Sequence, residues 1–101
     1  SNYQINMKET DINKWATLTH QRMPVFEMPN GDILYARYNR DKDTLDVGTA
    51  TNAGMAVQHH YPYDHNMTLE ANLQAVNEKL NELEEYREEL QEAEYGGGLR
   101  R

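Results

Sequence analysis

A run of regularly spaced apolar residues near the end of the chain constrains the fold most strongly. Over residues 69–90, leucine and valine recur at alternating intervals of four and three residues, which places them on one face of an α-helix. Three glycines at positions 96–98 follow this pattern, and glycine readily adopts the left-handed conformation that ends a helix. The sequence therefore predicts a helix over about residues 68–95 and a flexible tail over residues 96–101.

The predicted helix also carries the whole charge imbalance of the chain. The net charge is -7, and residues 68–95 hold nine glutamates against only Lys79 and Arg87. The remaining residues hold equal numbers of acids and bases. Several glutamates lie four positions apart, and each such pair destabilises an isolated helix by about 0.2–0.5 kcal/mol. Packing of the apolar face must offset this repulsion.

The segment before this helix alternates apolar and polar side chains with a period of two, which is typical of β-strands. Polar turns separate the alternating stretches, and Asn30-Gly31 is a strong hairpin signal because both residues tolerate positive φ angles. Short, evenly spaced strands favour pairing between neighbours, so we expect an antiparallel meander of three to four strands. The predicted strands are about residues 25–28, 33–39, 44–50 and 55–61.

The beginning of the chain predicts a helix behind a loose lead-in. Residues 1–8 are polar and show no period, so we expect them to be flexible. Residues 10–22 have helical spacing, with Thr10 as the N-cap and Pro24 disfavouring any continuation. The chain is thus predicted to form one α+β domain over residues 9–95, with a short helix, the meander, and the long helix packed on one face of the sheet.

The long helix is expected to overhang that sheet. Twenty-eight helical residues extend about 42 Å, whereas four strands of about seven residues make a sheet only about 20 Å across. The overhanging half would present apolar residues to a second copy of the chain or to another protein. The alternative is a solvated amphipathic helix lying along its own sheet. The residues predicted to contact a partner are Leu80, Leu83, Tyr86, Arg87 and Leu90.

Composition excludes several kinds of chemistry. The chain has no cysteine and its only serine is Ser1, which argues against disulfides, thiolate nucleophiles, cysteine-containing metal sites and serine hydrolases. The acidic balance argues against direct binding of nucleic acid, which needs clustered lysine and arginine. No apolar run approaches the length of a membrane span, and no signal peptide pattern is present, so we expect a cytoplasmic location.

Residues 59–65 form the densest cluster of chemically capable side chains. His60, Asp64 and His65 are of the ligand types that zinc prefers. However, neighbouring histidines in a strand point to opposite faces of the sheet, and the spacing matches no strong metal motif. A strand end and a turn, with Tyr61 and Tyr63 packing against the long helix, explain this segment better, so no metal and no cofactor are predicted.

The predicted outward face of the sheet offers a second place for a ligand. Tyr35 and Arg37 alternate with the apolar residues of their strand and share this face with Glu27 and His60. Such a mixed group can contact a ligand, or it can be ordinary cross-strand pairing of polar residues.

These observations lead to three hypotheses about function. The first is a small, acidic, non-catalytic protein-interaction module that uses its C-terminal helix to form a homodimer or to dock a partner. The second is an acidic inhibitor of the phage or mobile-element type, which mimics nucleic acid and binds a nuclease or a DNA-binding protein. The third is a histidine-based metal or catalytic site at residues 59–65. No enzymatic activity is predicted, because two layers built from this chain leave little room for a pocket.

Overall fold

The computed structural model describes residues 2–7 and 21–99, with side chains described up to residue 93. This part of the chain forms a five-stranded antiparallel sheet, in which every strand pairs with its neighbour in sequence, followed by a long helix. The α+β class and the antiparallel meander are therefore confirmed. The elements are β1 (Gln4–Ile5), β2 (Met23–Glu27), β3 (Ile33–Asn39), β4 (Thr44–Thr51), β5 (Gly54–Pro62) and α1 (Leu69–Leu99).

The number of strands differs from the expectation of three to four. The additional strand is β1, whose residues Gln4 and Ile5 pair with Glu27 and Phe26 of β2. It lies inside the segment predicted as a flexible lead-in. The predicted helix over residues 10–22 lies outside the described residues, apart from its last two, which are not helical.

Side chains of the helix hold the first strand in place. The Tyr3 backbone N–H donates to Oδ1 of Asn81 at 2.6 Å, and the Tyr3 carbonyl accepts from the amides of Asn77 and Asn81 at 3.0 and 3.1 Å. The Asn6 backbone N–H then donates to the carbonyl of Val25 at 2.8 Å. A strand of two residues has no period of its own, so this pairing depends on contacts that are distant in sequence.

The hydrophobic core lies between one face of the sheet and the first half of α1. The sheet contributes apolar side chains that lie opposite one another on neighbouring strands. Ala36 lies opposite Val47, and Leu45 lies opposite both Tyr38 and Tyr61. The helix adds three residues at helical spacing. The buried apolar residues are Val25, Phe26, Met28, Leu34, Ala36, Leu45, Val47, Leu73, Val76 and Leu80.

The connection from β5 to α1 is fixed by hydrogen bonds at the helix start. Thr68 caps the helix, because its hydroxyl oxygen accepts from the backbone N–H of Ala71 at 3.1 Å. Asn72 is buried, accepts from the backbone N–H of Asp64 and donates to the carbonyls of Asp64 and Thr68, each at 2.9 Å. The direction in which the helix leaves the sheet is therefore determined at its first turns.

The far half of α1 is not covered by the sheet. Every side chain from residue 85 to residue 93 is exposed, and the structure extends 56 Å along its longest axis. The helix also continues through the glycines at 96–98 to Leu99, beyond the predicted end at residue 95. Glycine permits a left-handed helix end but does not impose one, so the glycines alone did not determine where the helix stops.

A matched pair of leucines on α1 tests this division. Leu73→Ala removes a fully buried side chain and is expected to lower the free energy of unfolding by about 2–5 kcal/mol. Leu90→Ala removes the same atoms from an exposed position and should change the free energy of unfolding by no more than about 0.5 kcal/mol. Urea denaturation measures both values. Similar losses in the two variants would show that the far half of the helix is packed on the fold.

Candidate functional site

The sheet face opposite α1, here called the outer face, carries a row of three polar residues. Arg37 of β3 lies directly opposite Asp46 of β4, and Asp46 lies opposite His60 of β5. Directly opposed residues of antiparallel strands point to the same face. With strands about 4.8 Å apart, Arg37 and His60 begin about 10 Å from each other, on either side of Asp46.

Asp46 is fully buried although it belongs to the outer face. Its Oδ1 accepts from the Thr44 hydroxyl at 2.7 Å and lies 2.5 Å from Nδ1 of His60. Its Oδ2 accepts from the amide of Asn39 at 3.0 Å and lies 3.9 Å from Nε of Arg37. A buried charge is tolerated only when it is paired and hydrogen-bonded, and these partners from three strands provide both.

The hydrogen bonds decide the ionisation state of this carboxyl group. Burial alone would raise the pKa of Asp46 by disfavouring the charged form, but hydrogen bonds from Thr44, Asn39 and His60 outweigh it and leave the pKa below its ordinary value. Asp46 is thus ionised at neutral pH. It acts as a fixed negative charge that links β3, β4 and β5.

Asp46 orients two side chains that remain open to solvent. The side chains of Arg37 and His60 are 38 % and 44 % exposed. Asp46 engages Nε of Arg37 and Nδ1 of His60, so the terminal guanidinium nitrogens and Nε2 of the imidazole stay available. Within residues 2–7 and 21–99 none of these nitrogens has a hydrogen-bond acceptor.

Tyr35 lies beside this row, two positions from Arg37 on β3. The guanidinium carbon of Arg22 lies 5.6 Å from the centre of the Tyr35 ring, within the range of a cation–π interaction. Nη1 of Arg22 donates to the carbonyls of Thr51, at 3.0 Å, and of Gly54. The predicted sharing of one face by Tyr35, Arg37 and His60 agrees with the strand register, and Arg22 adds a second cation there.

A second aspartate–histidine pair lies at the turn between β3 and β4. Asp43 adopts a positive φ of 54°, accepts from the Tyr38 hydroxyl at 2.5 Å, and has Nε2 of His65 at 2.7 and 2.8 Å from its two oxygens. Hydrogen bonds from Tyr38 and His65 lower the pKa of Asp43. The Tyr63 ring packs edge-on against both Tyr38 and His65. These hydrogen bonds and ring contacts hold the turn between β3 and β4 against residues 63–65, which lead into α1.

The structure does not bring the three metal candidates together. His60 contacts Asp46, His65 contacts Asp43, and Oδ1 of Asp64 accepts from the backbone N–H of Asn66 at 2.9 Å. In the described part of the chain, no group of three or more histidine, cysteine, aspartate or glutamate side chains is arranged to hold a metal ion.

The predicted interaction residues of α1 divide into two sets. Leu80 is buried in the core, because the sheet extends far enough to cover it, so it does not belong to an accessible surface. Leu83, Tyr86 and Leu90 are 38 %, 58 % and 50 % exposed. Arg87 is exposed as well, and its Nη1 lies 3.9 Å from Oε2 of Glu84.

Among the described residues, no helix is long and apolar enough to cross a membrane.

Asp46 is the residue that the sequence analysis missed. Because side chains alternate along β4, Asp46 points to the other face of the sheet from Leu45 and Val47. This alternation does not reveal that Asp46 is buried. A signal was present, since aspartate is depleted in strand interiors. An aspartate between two core residues, with Thr44 two positions before it, indicates a carboxylate with dedicated partners.

Comparisons with known protein families, with characterised proteins and with solved structures find no match to this chain. Its function is therefore inferred from the two surfaces described above, the row around Asp46 on the outer face and the uncovered part of α1.

The depressed pKa of Asp46 leads to a prediction about acid stability. A carboxyl group with a lowered pKa in the folded state stabilises the fold above its ordinary pKa of about 4, and this contribution is lost as the pH falls further. Asp46→Asn should lower the free energy of unfolding at neutral pH by about 1–3 kcal/mol. It should also reduce the loss of stability below about pH 4, leaving the part due to Asp43.

Chemical denaturation at a series of pH values measures this effect. Asp41→Asn, at an exposed position of the same hairpin, is the control for removal of one carboxylate. If Asp46→Asn lost stability with acid as steeply as the unmodified chain, Asp46 would not carry the predicted linkage.

Proposed function

We propose that this chain is a non-catalytic protein-interaction module and that the exposed part of α1 is its docking surface. We call the group formed by Leu83, Tyr86, Arg87 and Leu90 the distal helix surface. The observation that carries the proposal is the uninterrupted exposure of residues 85–93, a stretch of helix that no described part of the chain covers.

A helix in this situation gains little stability from its own sequence. The pairs Glu84/Glu88 and Glu85/Glu89 place like charges four positions apart, which is unfavourable. Short helical stretches in water depend on tertiary packing rather than on intrinsic propensity. Because Tyr86 and Leu90 are already about half covered, a partner that removed the rest of each side chain from water would add about 1 kcal/mol per side chain. Docking would therefore stabilise both the helix and the complex.

The charge around the distal helix surface indicates what kind of partner fits it. Residues 82–94 contain seven glutamates and one arginine. A second copy of the chain would bring two such acidic segments together, with Lys79 as the single additional cation on this helix. A partner helix with an apolar row flanked by lysine and arginine would instead meet opposite charges. We therefore propose a basic amphipathic helix of another protein as the occupant.

Nucleic-acid mimicry is the neighbouring hypothesis. The exposed glutamates resemble a row of phosphates in charge, and a basic surface that normally binds nucleic acid would be attracted to them. However, Tyr86 and Leu90 lie among these glutamates, and a phosphate row has no counterpart to exposed apolar side chains. Docking through an apolar row accounts for both the charge and the apolar residues.

Calorimetric titration with a synthetic helix tests the proposal. The probe has leucine at heptad positions a and d and lysine elsewhere. We expect it to bind, and we expect Tyr86→Ser/Leu90→Ser to weaken binding at least about tenfold, which corresponds to about 1.4 kcal/mol. Ile33→Ser and Met67→Ser remove exposed apolar side chains outside the distal helix surface and should leave the affinity unchanged.

Two results would contradict this proposal. Equal affinity of the double variant would show that the probe senses only net charge and that the distal helix surface is not a docking surface. Dimerisation of the unmodified chain in sedimentation equilibrium, abolished in the double variant, would show that a second copy occupies this surface instead of a basic partner.

A further inference from the structure

We infer that the outer face around Asp46 is a binding site for one oxyanion, a phosphate or carboxylate group of a ligand, which Arg37 and the imidazolium form of His60 hold together. This site is independent of the distal helix surface, because it lies on the face of the sheet opposite α1. It goes beyond the proposed docking function and can be tested separately.

Both donors lie beside the same buried carboxylate, His60 in a hydrogen bond and Arg37 in an ion pair. Asp46 contacts Nδ1 of His60 at 2.5 Å and lies 3.9 Å from Nε of Arg37, and Thr44 and Asn39 hold its carboxylate in turn. Side chains that are already oriented lose less conformational freedom when a ligand binds. The fold therefore preorganises an arginine and a histidine on adjacent sides of one strand.

The groups that remain available are hydrogen-bond donors suited to an oxyanion. The terminal nitrogens of Arg37 form a planar fork that matches two oxygens of a phosphate or carboxylate. Nδ1 of His60 donates to the ionised Asp46 carboxylate, so Nε2 carries an N–H only in the doubly protonated imidazolium, which is the form that an oxyanion would bind. In the described ranges of the chain these donors meet no protein acceptor, although both side chains are more than a third exposed.

The charges around the site favour an anion. The Asp46 carboxylate is buried, and the imidazolium form of His60 balances its charge, which leaves the positive charge of Arg37 for a ligand. Among the residues that the structure describes, the exposed cations of the same face are Arg37 and Arg22, the latter over the ring of Tyr35. Glu27 belongs to this face as well, but it pairs with Gln4 and Ile33 toward the far end of the sheet, and its carboxylate accepts from the amide of Asn6.

Tyr35 extends the site beyond a simple anion. Its ring lies next to Arg37 along β3 and is half-buried. A ligand whose oxyanion contacts Arg37 could extend along β3 toward Tyr35, which shares this face of the strand. The geometry therefore suits a small organic molecule or a peptide end that carries the oxyanion, and inorganic phosphate and acetate are the simplest probes for the two chemistries.

Nuclear magnetic resonance of the histidine side chains tests this inference. Inorganic phosphate and acetate are titrated separately into the chain at a constant pH of about 5.5, where an ordinary histidine is largely protonated, with sodium chloride keeping the ionic strength constant. We expect saturable shifts of the His60 imidazole with at least one probe, while His59, which is on the face covered by α1, stays unchanged. Saturation with phosphate alone would assign a phosphoryl ligand, and saturation with acetate as well would include carboxylates.

Variants of matched charge complete the test. Arg37→Gln should weaken binding about tenfold or more, which is the effect of losing about 1.4 kcal/mol, and Arg37→Lys should restore it only in part because lysine lacks the fork. Arg40→Gln removes the same charge from the neighbouring loop and should leave the affinity within about twofold. Backbone amide spectra verify that each variant is folded. Shifts that do not saturate, or that survive Arg37→Gln, would overturn the inference.

Discussion

Leu73, Val76 and Leu80 pack against the apolar face of the sheet, and the other parts of the structure are arranged around this contact. At the start of α1, Asn72 fixes the connection from β5. Further along the helix, Asn77 and Asn81 form hydrogen bonds with the backbone of Tyr3, and these bonds hold β1 at the edge of the sheet. The same helix therefore closes the core and adds a strand.

This contact also separates two surfaces of different charge. Beyond the core the helix carries exposed apolar side chains among glutamates. The opposite face of the sheet presents Arg22 and Arg37, and Arg37 lies beside a buried, ionised Asp46. The net charge of -7 is therefore distributed unevenly over the fold. The acidic segment, for which we propose a basic partner, and the face that carries these arginines, for which we propose an oxyanion, are thus separate surfaces of the fold.

Local patterns predicted much of this fold, and non-local contacts account for what they missed. The limits of β3, residues 33–39, coincide with those expected from the alternation of apolar and polar residues. This pattern is local, because successive side chains of a strand point to opposite faces whatever packs against them. β1 was missed since its stability comes from Asn77 and Asn81, more than seventy positions away. The burial of Asp46 was missed because its partners come from three strands. Leu80 was assigned to the partner surface because helix spacing does not reveal where the sheet ends.

The central claim is that α1 is supported by its own fold only as far as the sheet reaches. Hydrogen exchange of backbone amides in the chain alone tests this most directly, because protection reports local stability. We predict strong protection over residues 73–83 and exchange close to that of an unfolded peptide over residues 85–93. Equally strong protection of both stretches in a chain shown to be monomeric would contradict the claim, because the far half of the helix would then be stable without a partner.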